Sequence, residues 1–359
     1  MKSTFFYGGS DIRIQDVPTP SPKQGEVLIE IRSAGICGSD LHKFTNRIPL
    51  PEIPLEQGHE LSGVVMQVGE GVGNLKPGDR VGIEAEHLIG CGKCQECNSG
   101  NYHVCLKRGI IDNKSHFSHG FSSHDIVYAQ NCYKLPDHVN FDHAAILDCY
   151  ACGVHAVNRT PVNKNNVVVI LGAGAIALTL GQIVKAYGAG RVIMIGTRIN
   201  PLEIALSAGS ADEYIINSND DPINEVMKST SGLGADIVFE TVGGNAQLLD
   251  QCMQMAGIRK TVSILGGFTS TQYLQSQEVG MKKELNITWS NSYSTWDGIS
   301  EYQQALDLLS QGKLNPEPII THRFNQSDIQ KGFEAANNKK ESAAIKVMIN
   351  HNISQIFNY

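Results

Sequence analysis

The stretch VVVILGAGAIALTLGQIV, Val167–Val184, is where the fold is decided. Eighteen residues with no charge among them also suit a membrane span. Gly172 and Gly174 interrupt the run, however, and Thr179 and Gln182 follow. A buried strand over 167–171 turning into a buried helix over 175–187 explains those glycines better. The pattern is Gly172-x-Gly174-x-x-Ala177, in strand–turn–helix context. Gly172 makes the tight turn, and Gly174 lets backbone N–H groups approach a pyrophosphate at the helix N-terminus. Ala177 is small enough for the helix to lie on the sheet. Gly172, Gly174, Ala175 and Ile176 are therefore candidate cofactor contacts.

Downstream, the rhythm of strand and helix continues. RVIMI (191–195), DIVFE (236–240) and TVSIL (261–265) read as strands, with EYIIN (213–217) and NITWS (286–290) as weaker ones. Such alternation argues a doubly wound parallel sheet of six strands. Leu265 and Gly266, where TVSIL ends, join the cofactor candidates. An NAD site usually has an acid on the ribose about twenty residues after the glycines. Here Gly196, Thr197 and Arg198 stand in that place. Without the carboxylate a 2′-phosphate is not repelled, and Arg198 can pair with it, so NADP is favoured over NAD.

Upstream, the first 150 residues read as short β-runs divided by Gly and Pro. Val27–Ile31 alternates as a half-buried strand does, followed by LSGVVMQVG (61–69), the turn KPGD (76–79) and RVGIEA (80–85). This pattern predicts a small barrel-like domain. After Asn291 a helical stretch (298–310) and an extended one (316–324) predict a return to it. The division expected is 1–152 with 291–359, around a nucleotide domain at 153–290.

The chain's 359 residues carry a net charge of −7, which offers no general attraction to nucleic acid or anionic membrane. Nine cysteines is an odd count, and MKSTFFYGGSDIRIQ lacks the features of a secretory signal. A reducing, cytoplasmic setting is expected, where clustered cysteines favour metal over disulfides. Cys91, Cys94, Cys97 and Cys105 are such a cluster. Four thiolates saturate tetrahedral zinc and leave no place for substrate, the pattern of a structural site. The usual iron–sulfur spacings differ from this one. Glu84, Glu86 and Glu96 flank the lobe in place of a basic face, which argues against a nucleic-acid-binding zinc module. A second, sparser set comprises Cys37 in GICGSDLH (35–42) and His59 with Glu60 in GHE (58–60). Its mixed ligands leave room for a water or substrate oxygen, as catalytic zinc requires.

With these motifs in one order, the chain resembles the zinc-dependent medium-chain dehydrogenases/reductases, the alcohol dehydrogenase superfamily. CGSDLH, GHE, the run Val68–Val81, the cysteine lobe, LGAGAIA and THRF (321–324) carry the resemblance. CGSDLH and THRF are similar to the polyol, sorbitol and threonine dehydrogenase branch. The resemblance implies a GroES-like catalytic domain with a Rossmann domain, two zinc ions per subunit, and a homodimer or homotetramer. It implies Cys37 and His59 as catalytic zinc ligands, with Glu60 bound to the metal or beside it. A third ligand is implied in AAILDCYACGVHA (144–156), where motif register favours Asp148 over Cys149 and Cys152. Ser39 matches the hydroxyl beside the reacting oxygen, and His42 the outer end of a proton relay.

The implied reaction is hydride transfer between a secondary alcohol, such as a polyol, sugar or cyclitol derivative, and the nicotinamide, giving a ketone. Two departures bear on substrate. GFSSHD (120–125) replaces the usual Gly-Phe-Ala-Glu-Tyr type, and NSYSTWDGI (291–299) lacks an arginine that sorbitol dehydrogenases carry nearby. HFSHG (116–120) is a further pocket candidate. Simple or aromatic alcohols and aldehydes are the alternative substrates, and a non-catalytic nucleotide-binding protein is the alternative of another class.

Overall fold

The computed structural model describes residues 1–50, 52–85, 90–107, 110–111, 114–115, 118–217, 221–273 and 277–351. His116 and Phe117 of HFSHG, and Glu86, lie outside these. The chain divides into two compact units, residues 1–148, 294–310 and 320–359 in one and residues 149–293 and 311–319 in the other.

In the second unit the deciding stretch folds as read. Val167–Leu171 is a strand and Ala175–Ala186 a helix. The strand is the third of six in a wholly parallel sheet. In spatial order these are Glu213–Ile216, Arg191–Gly196, Val167–Leu171, Ala235–Glu240, Ala256–Ile264 and Asn286–Trp289. The order reverses between the third and fourth, the switch point where such sheets take ligands outside their carboxyl ends. Val169, Leu171, Ile193, Ile195, Val238, Val262 and Ile264 form one buried face. Because parallel strands are covered on both sides, they read as near-continuous apolar runs. Among the described residues no helix is long and apolar enough to cross a membrane.

The first unit builds a seven-stranded, mostly antiparallel sheet. Its path runs Ile320–Asn325, Lys346–Asn350, Glu26–Gly35, Glu60–Val68, Arg80–Glu84 and Cys132–Lys134, with His124–Tyr128 also paired to Glu26–Gly35. The return predicted after Asn291 therefore supplies two strands of this sheet. The THRF arginine explains part of that return: Arg323 Nε donates to Asp142 Oδ2 at 2.6 Å. Asp142 Oδ1 in turn accepts from Ser33 and Asn350, both at 2.6 Å. Beneath the sheet, Phe6, Phe44, Phe121 and Phe333 pack ring on ring with centroids 5.1–6.0 Å apart.

Candidate active site

Cys37 ends an extended segment and N-caps the helix Gly38–Phe44. His59 stands at the mouth of the strand Glu60–Val68, which pairs with Glu26–Gly35 through Glu60 opposite Gly35. That pairing brings Cys37 Sγ, a ring nitrogen of His59 and a carboxylate oxygen of Glu60 within 4.8 Å of one another. Asp148, in the first turn of the helix Leu147–Arg159, lies within the same distance of Glu60. Thiolate, imidazole and carboxylate are zinc's own donor types, and their convergence fits the ion. Cys149 is buried, one residue beyond Asp148.

Asp40 has a place here that sequence reading missed. Its Oδ2 accepts the Cys37 backbone N–H at 2.9 Å, capping the helix, and its Oδ1 lies 3.8 Å from His59 Nδ1. Its other oxygen faces His59 across that gap, so this buried carboxylate acts on the ring through its charge. Burial disfavours protonation of His59, but Asp40, Cys37 and Asp148 outweigh it and hold the pKa well above the ordinary value. So much negative potential around one imidazole suits a cation. The signal in the sequence was an acid three residues after a helix-capping cysteine.

Ser39 is exposed on the same short helix. His42, three residues on, has its pKa lowered by burial and then by Arg47 and Lys339, which keeps the ring neutral at pH 7.

The four-cysteine lobe is a separate cluster of the same unit. All four sulfurs lie within 4.8 Å of one another, Cys91–Cys97 at 3.9 Å and Cys94–Cys105 at 3.7 Å. Four ligands at the usual zinc–sulfur length stand ~3.8 Å apart on a tetrahedron, so the sulfurs fit one ion. None is in a disulfide. The N–H groups of Lys93 and Cys94 draw the Cys91 thiol down to about 6, whereas burial pushes Cys97 up to about 12. Glu84 is not a surface charge beside the lobe: it is buried and accepts the hydroxyls of Tyr102, from the lobe, and Tyr133. A carboxylate on the inward face of a strand end serves as an anchor there.

In the second unit Gly172 has φ +127°, and a Cβ on it would stand 2.3 Å from Thr241 Oγ1. Gly174 N-caps the helix with no side-chain cap, so the first N–H groups, from Ala175 and Ile176, lack intrahelical partners. Backbone N–H groups free at a helix N-terminus favour an anion. Thr197 is exposed and Arg198 half-buried, capping the helix Ile199–Ser207 at the end of the second strand. Leu265 and Gly266 both donate their N–H to Glu240 O, at 2.8 and 3.1 Å.

Residues 23–137 match the alcohol dehydrogenase GroES-like domain, and residues 175–311 match the zinc-binding dehydrogenase family. A sorbitol dehydrogenase of Halalkalibacterium halodurans is 31% identical, over 96% of both chains. The chain belongs to the zinc-type medium-chain alcohol dehydrogenases, a family of oxidoreductases. Among solved members of this family, galactitol-1-phosphate dehydrogenase from Escherichia coli is 29% identical with a TM-score of 0.86. The match covers 98% of this chain and 100% of that one. An alcohol dehydrogenase from Escherichia coli CFT073 complexed with NADH is 26% identical with a TM-score of 0.84, over 98% and 99% of the two chains.

Proposed function

We propose that the protein is a zinc-dependent, NAD(P)-linked dehydrogenase that interconverts a secondary alcohol of the polyol, sugar or cyclitol class and its ketone. The observation that carries this reading is the mixed set Cys37–His59–Glu60, extended by Asp148, in a chain that also holds a dinucleotide loop. Two relatives, named for sorbitol and for galactitol 1-phosphate, support the polyol class.

Zinc supplies a Lewis acid toward the substrate oxygen, and the nicotinamide supplies the hydride acceptor. Cys37, His59 and Asp148 hold the metal, with Asp40 acting on the His59 ring through its charge. Ser39 takes the proton of the substrate hydroxyl, and the neutral His42 passes it outward. Glu60, which pairs with the buried Lys346, would stand bound to the metal or beside it. Cys91, Cys94, Cys97 and Cys105 hold a second zinc ion that fixes the lobe. In the nucleotide domain, Gly172, Gly174, Ala175 and Ile176 cradle the pyrophosphate, while Leu265 and Gly266 line the dinucleotide further along. Thr197 and Arg198 receive the 2′-phosphate of NADP, which we infer is used in preference to NAD. The subunit is taken to act in the cytoplasm as a homodimer or homotetramer, with residues 1–152 and 291–359 catalytic and 153–290 binding the nucleotide.

A screen of polyols, sugar phosphates, cyclitols and simple alcohols on zinc-loaded protein, with both cofactors, tests the reading. Turnover confined to simple or aromatic alcohols would overturn the substrate class. Nucleotide binding without hydride transfer to any substrate would overturn the enzyme.

A further inference from the structure

Glu240 ends the strand Ala235–Glu240 at the switch point of the parallel sheet and is fully buried on its apolar face. A carboxylate in such a place needs donors. Its Oε1 accepts the backbone N–H groups of Val242 at 2.8 Å and Gly243 at 2.9 Å. Its Oε2 has no hydrogen-bond partner among the described residues, and a Cβ on Gly266 would lie 2.3 Å from it. The Glu240 carbonyl accepts from Leu265 and Gly266. One residue thus engages two turns, Thr241–Gly244 and Leu265–Phe268, which also bond to each other through Gly244 N and Gly267 O at 2.8 Å. Both follow the carboxyl ends of neighbouring strands, the edge of the sheet that takes the dinucleotide. Thr241, the next residue, bonds Leu171 O at 2.8 Å and bounds Gly172 of the phosphate loop.

We propose that Glu240 is a positioning residue for the dinucleotide: its carboxylate fixes the Thr241–Gly244 turn, which bonds through Gly244 to the turn carrying Leu265 and Gly266 and so sets that turn against the cofactor. This rests on the nucleotide-binding reading above. Burial raises the pKa of Glu240, and the N–H groups of Gly243, Val242 and Gly266 act against that rise. Oε1 accepts both N–H groups of the first turn. An amide in its place keeps that acceptor, so Glu240→Gln is the conservative variant and Glu240→Ala the disruptive one.

The test is fluorescence titration of wild type and both variants with NADPH and with NADH, alongside thermal unfolding and steady-state kinetics. The expected result is a dissociation constant at least tenfold higher for Glu240→Ala, restored to within about threefold of wild type by Glu240→Gln. The KM for dinucleotide should rise more than kcat falls. A Glu240→Ala protein that melts earlier yet binds nucleotide as wild type does would overturn the proposal, since that is what a purely structural role produces. If Glu240→Ala does not fold, Glu240→Asp, one methylene shorter, takes its place with the same two outcomes. Wild-type protein that binds neither dinucleotide would overturn the nucleotide-binding reading, and this proposal with it; wild-type binding that Glu240→Ala leaves unchanged overturns the proposal alone.

Discussion

Lys346 donates to both carboxylate oxygens of Glu60, at 2.6 and 2.8 Å, and neither side chain reaches solvent. Gly35 makes the room: a Cβ there would stand 2.0 Å from Glu60 Oε2. Lys346 also donates to Ile36 O at 3.3 Å, one residue before Cys37. Removing one partner of a buried pair leaves the other charge uncompensated, at about 3–5 kcal/mol. Lys346→Met should therefore lower the unfolding free energy by about that amount, and Lys346→Met with Glu60→Gln should recover most of it. Urea unfolding monitored by circular dichroism measures both. A loss below about 1 kcal/mol in the single variant would place the pair among interactions with little net worth.

Asp40 does two things that can be separated. It caps the helix Gly38–Phe44 through Cys37 N–H, and it faces His59 Nδ1. Asp40→Asn keeps an acceptor for the cap while removing the charge from the imidazole; Asp40→Ala removes both. Outer-shell partners of this kind are worth about 10–100-fold in metal affinity. Both variants should lose zinc from the Cys37 set at lower chelator concentrations, whereas only Asp40→Ala should also lose about 1 kcal/mol of stability. Equal zinc retention in all three proteins would remove Asp40 from the metal's support.

What the sequence showed and what it hid divide along physical lines. Val167–Leu171 was legible because a parallel strand covered on both faces leaves a continuous apolar run, and Gly172 because one turn demands its backbone angle. That Cys37 meets His59 and Glu60, and that the four lobe cysteines meet one another, was legible because metal-ligating residue types are few and their spacing within CGSDLH, GHE and the cysteine lobe is short. Lys346 was hidden: it lies 286 residues from Glu60, and a lysine in a late strand carries no local mark of a buried partner. Glu84 misled for the opposite reason. A charged residue beside an exposed lobe reads as surface until the strand's alternation is known to turn it toward Tyr102 and Tyr133.

His119 and Asp125 predict a pH effect. The ring Nδ1 is 3.3 Å from Asp125 Oδ1, and the His119 backbone N–H donates to Oδ2 at 2.9 Å. Burial disfavours the charged ring, but Asp125 outweighs it and raises the pKa to about 9. The unfolded value is about 6.5. With the folded pKa the higher, the pair's stabilisation is complete below about pH 6.5 and lost as pH rises through about 9. Because the ring is 37% exposed, solvent screens the pair and the slope should be shallow. The stability difference between wild type and His119→Gln should shrink from pH 6 to pH 9.5 in urea titrations. A difference constant across that range would show that the pair does not titrate there.

Arg198 stands half-buried where an acid would bind the ribose of NAD, next to exposed Thr197. A guanidinium paired with a 2′-phosphate makes charge-assisted hydrogen bonds that NADH cannot offer. Arg198→Ala should raise the dissociation constant for NADPH by about tenfold or more and that for NADH by less than about twofold, equivalent to a selective loss above ~1 kcal/mol. Titration of protein fluorescence with each nucleotide measures the ratio. Equal losses for both would mean that Arg198 does not read the 2′-phosphate.

The two cysteine sets should respond differently to the same chemical change. Cys37 converges with His59 and Glu60; on the proposed reading of that set as the catalytic zinc site, Cys37→Ser should lower turnover by about three orders of magnitude, roughly 4 kcal/mol in the barrier. Its far-ultraviolet dichroism should stay that of wild type, and bound zinc should fall. In the lobe four sulfurs share one small volume and Cys91 N–H donates to Cys105 Sγ at 3.4 Å. Cys91→Ser there should first lower the melting temperature, because a structural zinc site contributes folding energy directly. The lobe is tied into the sheet by Tyr102 on Glu84, so its loosening should spread to that strand before it reaches turnover. Activity of Cys91→Ser measured well below its melting temperature should stay within a few-fold of wild type. Loss of turnover at unchanged melting temperature would instead make the lobe part of the reaction.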